Sequence, residues 1–268
     1  MPDSRPFRQK LVSIDKFLET DILTALGAFP ACTVHIAGGR NRDVDSATPE
    51  TVWETGGLYL PLTGAEEIRL VSSSADDDAA GLGVQEVLVA GLPDWDSPEE
   101  ELLVETDGLT EVVLSEQFCC INHITATRWG TAFGTASGNI TLTAQGSARV
   151  LGTILAGANI HQSSVHGTPR GSKAIIRDAY AGIRRTGGGS VNVDFELILH
   201  SDPENEGGAI SLGTVPLRST VSTFVSKPWR TIPAFPGPCV FYILADASAD
   251  NTDVVGAIDI LTVRTGPE

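Results

Sequence analysis

Five histidines, His35, His123, His161, His166 and His200, are the side chains best suited to proton or metal chemistry. Only His161 and His166 are close, in the run His161-Gln162-Ser163-Ser164-Val165-His166, which reads as a polar loop. Zinc would need two more ligands from elsewhere, and this spacing is not among the strong zinc patterns. An exposed loop without a metal is the expectation there. Asp76-Asp77-Asp78 offers oxygens to calcium, but the spaced ligands and closing Glu of a calcium loop are missing. Asp94, Asp96, Glu99, Glu100 and Glu101 could in principle supply the carboxylate pair of a glycosidase. A run this dense beside Pro93 and Pro98 reads instead as a solvated loop.

Nucleophilic catalysis finds no better support. There is no Gly-x-Ser-x-Gly elbow, and Cys119-Cys120 has no helix N-terminus to lower a thiol pKa. Gly81-Leu82-Gly83 lacks the third glycine of a dinucleotide loop and does not open a helix. No catalytic residue, metal or cofactor is assigned, and an enzyme is not expected. Among the four tryptophans, Trp95 lies in the acidic, proline-containing loop, where an exposed ring would contact a partner or a glycan. Trp229 could do likewise, while Trp53 and Trp129 flank glycine-containing segments; a core or lid position is the competing reading for each. Arg170, Arg177 and Arg184-Arg185 could meet acidic surfaces of neighbouring copies.

The elements that would carry these residues are mostly strands. Residues 1–10 read as an extended basic arm with Arg5, Arg8 and Lys10. From Ser13, the apolar residues Ile14, Phe17, Leu18, Ile22, Ala25 and Leu26 fall at helical spacing, with Ser13 able to cap and Gly27 able to end the run. After Pro30, short runs rich in Val, Ile, Leu and Thr alternate with Gly, Pro, Asp and Ser clusters, the pattern of an all-β sandwich or barrel. Strands are expected over 58–60, 67–72, 85–90, 100–105, 110–114, 119–127, 139–143, 149–155, 173–184, 190–200, 218–227, 240–245 and 254–264. Val191 to Leu197 alternates apolar and polar residues, so one face is core and the other wet. Val254 to Arg264 is more apolar, as for a central strand or a subunit contact. Asp107-Gly108 between two apolar runs predicts a hairpin turn, and 72–83 and 203–208 read as surface loops.

The chain has 268 residues, 41% hydrophobic with a mean hydropathy of +0.06, enough apolar material for a sizeable core. Its 34 acidic and 18 basic residues leave a net charge of −16, the wrong sign for binding nucleic acid. No apolar run approaches the roughly 18 residues of a membrane span, and Met1 to Pro6 lacks the apolar core of a secretory signal. A soluble, unexported chain is expected. Cys32, Cys119, Cys120 and Cys239 show no Cys-x-x-Cys spacing and read as buried free thiols, the adjacent pair facing opposite sides of a strand.

One block is recognisable. Trp53-Glu54-Thr55-Gly56-Gly57-Leu58-Tyr59, an apolar strand to Val71, the loop Ser73-Ser74-Ala75-Asp76-Asp77-Asp78-Ala79-Ala80-Gly81-Leu82-Gly83, a second strand and Gly91-Leu92 resemble a recurrent block in virion structural proteins of tailed bacteriophages. Phe118 to His123, Gly138 to Ile140, Ile232-Pro233 and Val254 to Val263 look like its continuation, so the resemblance covers about two thirds of the chain. Pro93 stands where the family pattern has Asp, and Cys119-Cys120 where it has Arg. The resemblance implies a β-rich virion component of capsid-decoration, cement or appendage type, with no catalytic residue in its motifs.

The combined expectation is an N-terminal arm and helix (1–30) followed by a single antiparallel β-sandwich domain (31–268) of jelly-roll type. The expected role is a capsid decoration or cement protein that stabilises the head as a homo-oligomer, a trimer being favoured. Arg5, Arg8, Lys10, Ile14, Phe17, Leu18 and Ile22 would touch the major capsid protein, another virion protein or a neighbouring copy. The alternative is a tail- or fibre-associated module recognising host-surface glycan through Trp95. Either places the chain in the virion, assembled in the host cytoplasm, without nucleic-acid or membrane contacts.

Overall fold

The computed structural model describes residues 31–131, 134–184, 190–205, 207–219, 223–228 and 234–265. The predicted arm and helix, with all seven of their contact residues, lie outside the described residues, as do Arg185 and Trp229. The described chain is all-β and antiparallel; its one short helix is a 3₁₀ turn at Pro203–Asn205. Four sheets enclose two hydrophobic cores, where a single sandwich was expected over 31–268.

The outer pair of sheets uses both ends of the described chain. β1 (Cys32–Val44), β17 (Thr252–Arg264), β11 (Ser172–Ile183) and β14 (Thr223–Pro228) form one sheet, with β15 (Phe235–Pro236) also on β11. β10 (His166–Thr168), β16 (Cys239–Ala247), β12 (Val191–Ser201) and β13 (Ala209–Ser219) form the other, with β2 (Glu50–Thr51) also on β16. Thr51 and Glu50 pair with Leu244 and Ala245, while His166 to Thr168 pair with Phe241 to Cys239. Thus β2 and β10 lie one after the other along β16, two pieces of one interrupted strand. Counted that way, the first strand pairs with the last, the second with the seventh, the third with the sixth and the fourth with the fifth: a long hairpin folded over on itself. The contacts β11·β17 and β12·β16 close it into two sheets.

Alternation explains the core between these sheets. In β12, Val191, Val193, Phe195 and Leu197 are buried while Asn192 and Asp194 are exposed, as their period of two requires. β17 runs between β1 and β11, so Val254, Ile258 and Ile260 are buried within a central strand.

The interruption between β2 and β10 is filled by a second sandwich. β6 (Val112–Phe118), β3 (Glu66–Ser72), β8 (Ile140–Ala144) and β9 (Val150–Ile154) face β5 (Glu100–Glu105), β4 (Val84–Leu92) and β7 (Cys120–Trp129) across a core that includes Ile68, Leu70, Val87, Val89, Phe118 and Ile124. A third cluster joins the two sandwiches: Trp53, Tyr59, Leu92, Trp95, Cys119 and Cys120 pack with Val165, Ile198, Val240 and Tyr242.

Three local expectations are corrected. Asp107-Gly108 is a turn with Gly108 at φ +56, but β5 pairs with β4 and β6 with β3, so it carries the chain between sheets. Asp-Gly sets a tight bend and does not choose the partner of the strand that follows. β1 and β13 were missed, and 58–60 forms no strand. β1 was hidden by Gly38-Gly39-Arg40-Asn41, which mimics a turn. The backbone needs Gly39 there, since a Cβ would lie 1.8 Å from the Val52 carbonyl oxygen and 2.5 Å from the Ser164 nitrogen.

Candidate functional site

The recognisable block turns out to be scaffold. The Trp53 indole donates to the Gly56 and Gly57 carbonyls (3.0 and 3.1 Å), both glycines having positive φ, and its ring meets Tyr59 edge-on at 5.4 Å. The loop at 73–83 was expected to be solvated, yet Asp77 is 0% exposed. Its carboxylate accepts hydrogen bonds from the Ser72 hydroxyl (2.6 Å) and from the amides of Val84, Ser137 and Gly138 (2.8, 2.9 and 2.8 Å). The glycines of the same motif make room for this clamp: a Cβ on Gly83 would lie 2.2 Å from Asp77 Oδ1, and one on Gly81 would lie 2.2 Å from the Asp76 carbonyl oxygen.

Trp95 is corrected. It is 2% exposed in the junction cluster and presents no ring to a glycan or partner. Its carbonyl accepts from the Arg170 amide (2.7 Å), and the Arg170 guanidinium pairs with Asp96 (3.3 Å) and with Glu204. Asp94 ties the loop internally by accepting from the amides of Asp96 and Ser97. Partial burial works to raise its pKa, but these bonds and that from the Ser97 hydroxyl outweigh it and hold the carboxyl below its ordinary value. Residues 93–98 are thereby latched onto the outer sandwich. Arg177 pairs with Asp259 (2.5 Å), so both Arg170 and Arg177 are engaged within the chain.

The latched loop delivers Glu99 to a groove of about 310 Å³ at the junction, lined also by His35, Pro98, His166, Pro169, Ser172 and Arg264. His35 projects from β1 and His166 from β10, their ring centroids 4.4 Å apart. One ligand-capable atom from each of His35, Glu99 and His166 lies within 4.8 Å of the other two. Burial lowers the pKa of His35, opposed by Glu99; burial and the neighbouring His35 lower that of His166 well below its ordinary value. Behind the carboxylate, Asn122 on β7 donates to Glu99 (2.5 Å) and to the Gly167 carbonyl (3.2 Å), and accepts from the Gly167 amide (2.7 Å). This arrangement can hold a cation between neutral imidazoles and an oriented carboxylate.

The two histidines that are close in sequence are not the two whose rings the fold brings together. His161 is buried, its Nδ1 2.8 Å from the Thr153 carbonyl oxygen and its ring 6.3 Å from Trp53; residues 161–165 are irregular apart from a bridge at Ser163, as expected of a loop, but the loop is packed in and not exposed. His35, Glu99 and His166 come from three segments with no spacing signal between them. The cysteines do not face opposite sides of one strand: Cys119 is at the bend between β6 and β7, and both thiols enter the junction cluster. Burial pushes the thiols of Cys120 and Cys239 up to about 12, and that of Cys119 upward also, so none is a ready nucleophile. Cys32 is half-buried; all four thiols are free.

No protein-family model and no curated protein matches the chain. Among solved structures, the chain is similar to a chain in a structure of infectious bursal disease virus, Gx strain, at a TM-score of 0.28 and 10% identity over 88% of this chain and 73% of that one. A chain of T=1 particles derived from infectious bursal virus matches at a TM-score of 0.13 and 9% identity over 88% and 79%. Both come from virus structures, and both scores are too low to carry a statement of fold or role.

Proposed function

We propose that the chain is a structural protein of a bacteriophage virion, a decoration or cement protein that binds the capsid as a homo-oligomer, with a trimer favoured. One observation carries this reading: the block that resembles phage virion proteins spends its Trp, Asp and Gly residues on holding strands and loops in place. A motif whose polar atoms are consumed by its own backbone preserves a shape. The first-with-last, second-with-seventh pairing of the outer sandwich supports the jelly-roll reading, a fold frequent in capsid and lectin domains. The net charge of −16 suits a body crowded at high copy number on a particle surface.

In this reading residues 1–26 engage the major capsid protein or a neighbouring copy, and the body faces solvent. It is a non-enzymatic role in the virion, following assembly in the host cytoplasm, without nucleic-acid or membrane contacts. The tail-associated, glycan-binding alternative loses its contact residue with the burial of Trp95. Quantitative mass spectrometry of purified particles tests the proposal. A copy number comparable with that of the major capsid protein is expected, and deletion of residues 1–26 abolishes attachment while the body stays folded. A handful of copies per particle, or none, overturns it.

A further inference from the structure

We propose that His35, Glu99 and His166 bind a divalent transition-metal ion, zinc above all, and that the ion clamps the inserted sandwich to the outer one. The three donors come from separate parts of the fold: β1, the latched loop before β5, and β10. Two imidazoles and a carboxylate are a zinc donor set, with bonds of about 2.0–2.2 Å, and three protein ligands leave a fourth position for water. Ligands around such an ion lie about 3.4 Å apart. The present separations do not exceed 4.8 Å, within about 1.4 Å of that spacing.

Three further observations favour an ion over a chance meeting of side chains. His166 is 3% exposed, yet neither its imidazole nor that of His35 hydrogen-bonds to any described residue. Their nitrogens are not among the fully buried, unpartnered atoms, so they open onto the groove, where a ligand can reach them. Glu99 is oriented by Asn122, which is itself fixed on both sides by the Gly167 backbone, as the outer partners of metal ligands are. Gly167 packs directly against Cys120, with no room for a side chain, since a Cβ there would lie 2.7 Å from Cys120 Sγ. Hard, strongly hydrated calcium would demand more oxygen ligands than this groove supplies. Arg264 is the only cation among the lining residues, on the exposed end of β17.

The experiment uses the full chain, stripped with chelator and titrated with zinc chloride by calorimetry, with cobalt(II) as the spectroscopic probe. The expected result is one equivalent per chain, a visible cobalt band of low-coordinate N/O type, and slowed amide exchange at β10 and residues 98–99 on zinc addition. Glu99→Gln and His35→Gln, whose side chains are the less buried of the three, each weaken zinc binding about 100-fold or more, and Asn122→Ala about 10-fold. His166→Gln adds the same loss if circular dichroism shows it folded. Zinc affinity unchanged in His35→Gln and Glu99→Gln overturns the site, as does failure to bind one equivalent. Binding without slowed exchange at the junction overturns the clamp.

Discussion

Two buried polar clusters in this molecule are opposites. Around Asp77, in the inserted sandwich, a carboxylate fully removed from solvent accepts four hydrogen bonds, three of them from backbone amides. At the junction, two imidazoles are packed against each other with no hydrogen-bond partner among the described residues. Burying a polar group is costly unless it is paired, so the first cluster holds the fold together, while the second leaves imidazole nitrogens open to the groove. Burial alone does not separate structural from functional polar residues; the accounting of their partners does.

The sharpest way to break this comparison is to remove Asp77. Asp77→Ala leaves three backbone amides, two of them buried, without their acceptor and should cost about 4 kcal/mol, read as a lower urea midpoint at unchanged slope. Asp77→Asn, which keeps the shape, should cost less. Next comes His161, whose pKa burial lowers to about 4, with the Thr153 carbonyl opposing and His123 adding to the shift. The unfolded chain takes up this proton near pH 6.5 and the native one only near 4. The contribution is therefore complete above pH 6.5 and is lost as pH falls toward 4, about 3 kcal/mol in all. His161→Gln should flatten that part of the urea-unfolding profile between pH 7 and 4.

Gly83→Ala should cost about 2 kcal/mol, because its Cβ must displace the Asp77 carboxylate and the Ser137 hydroxyl at 2.2 and 2.5 Å. A calorimetric melt reads this directly, and an unchanged melting temperature would show that the clamp has slack. The smallest effect should come from the other cluster. In chelator-stripped protein, His35→Leu removes an imidazole that has no hydrogen bond to lose, and stability should stay within about 1 kcal/mol of wild type. A loss as large as that of Asp77→Ala would erase the distinction between the clusters.

How far each cluster could be read from sequence differs for the same reason. Part of the Asp77 clamp is local, so Ser72, Asp77, Gly81 and Gly83 stand in a fixed short spacing that resembles a known block, while the Ser137 and Gly138 amides come from far along the chain. That spacing signals a shared shape but not burial, and the loop's acidity suggested solvent. The His35, Glu99 and His166 cluster spans 132 positions from first to last and leaves no local mark. Trp95 was misjudged similarly: an acidic loop with prolines looks exposed until Arg170 and Glu204, far along the chain, latch it down.

Alternation and turn chemistry in the sequence were sufficient for the all-β class, most strand positions and the buried face of β12, because these depend on neighbours one or two residues away. Tertiary structure alone decided that two sheet pairs form instead of one, that β2 and β10 share an edge with a second sandwich between them, and that Asp107-Gly108 joins different sheets. Strand partners are chosen by packing over long separations, which carries no period along the chain. The same long-range packing placed Glu99 beside two histidines from the other sandwich, in a groove at the junction.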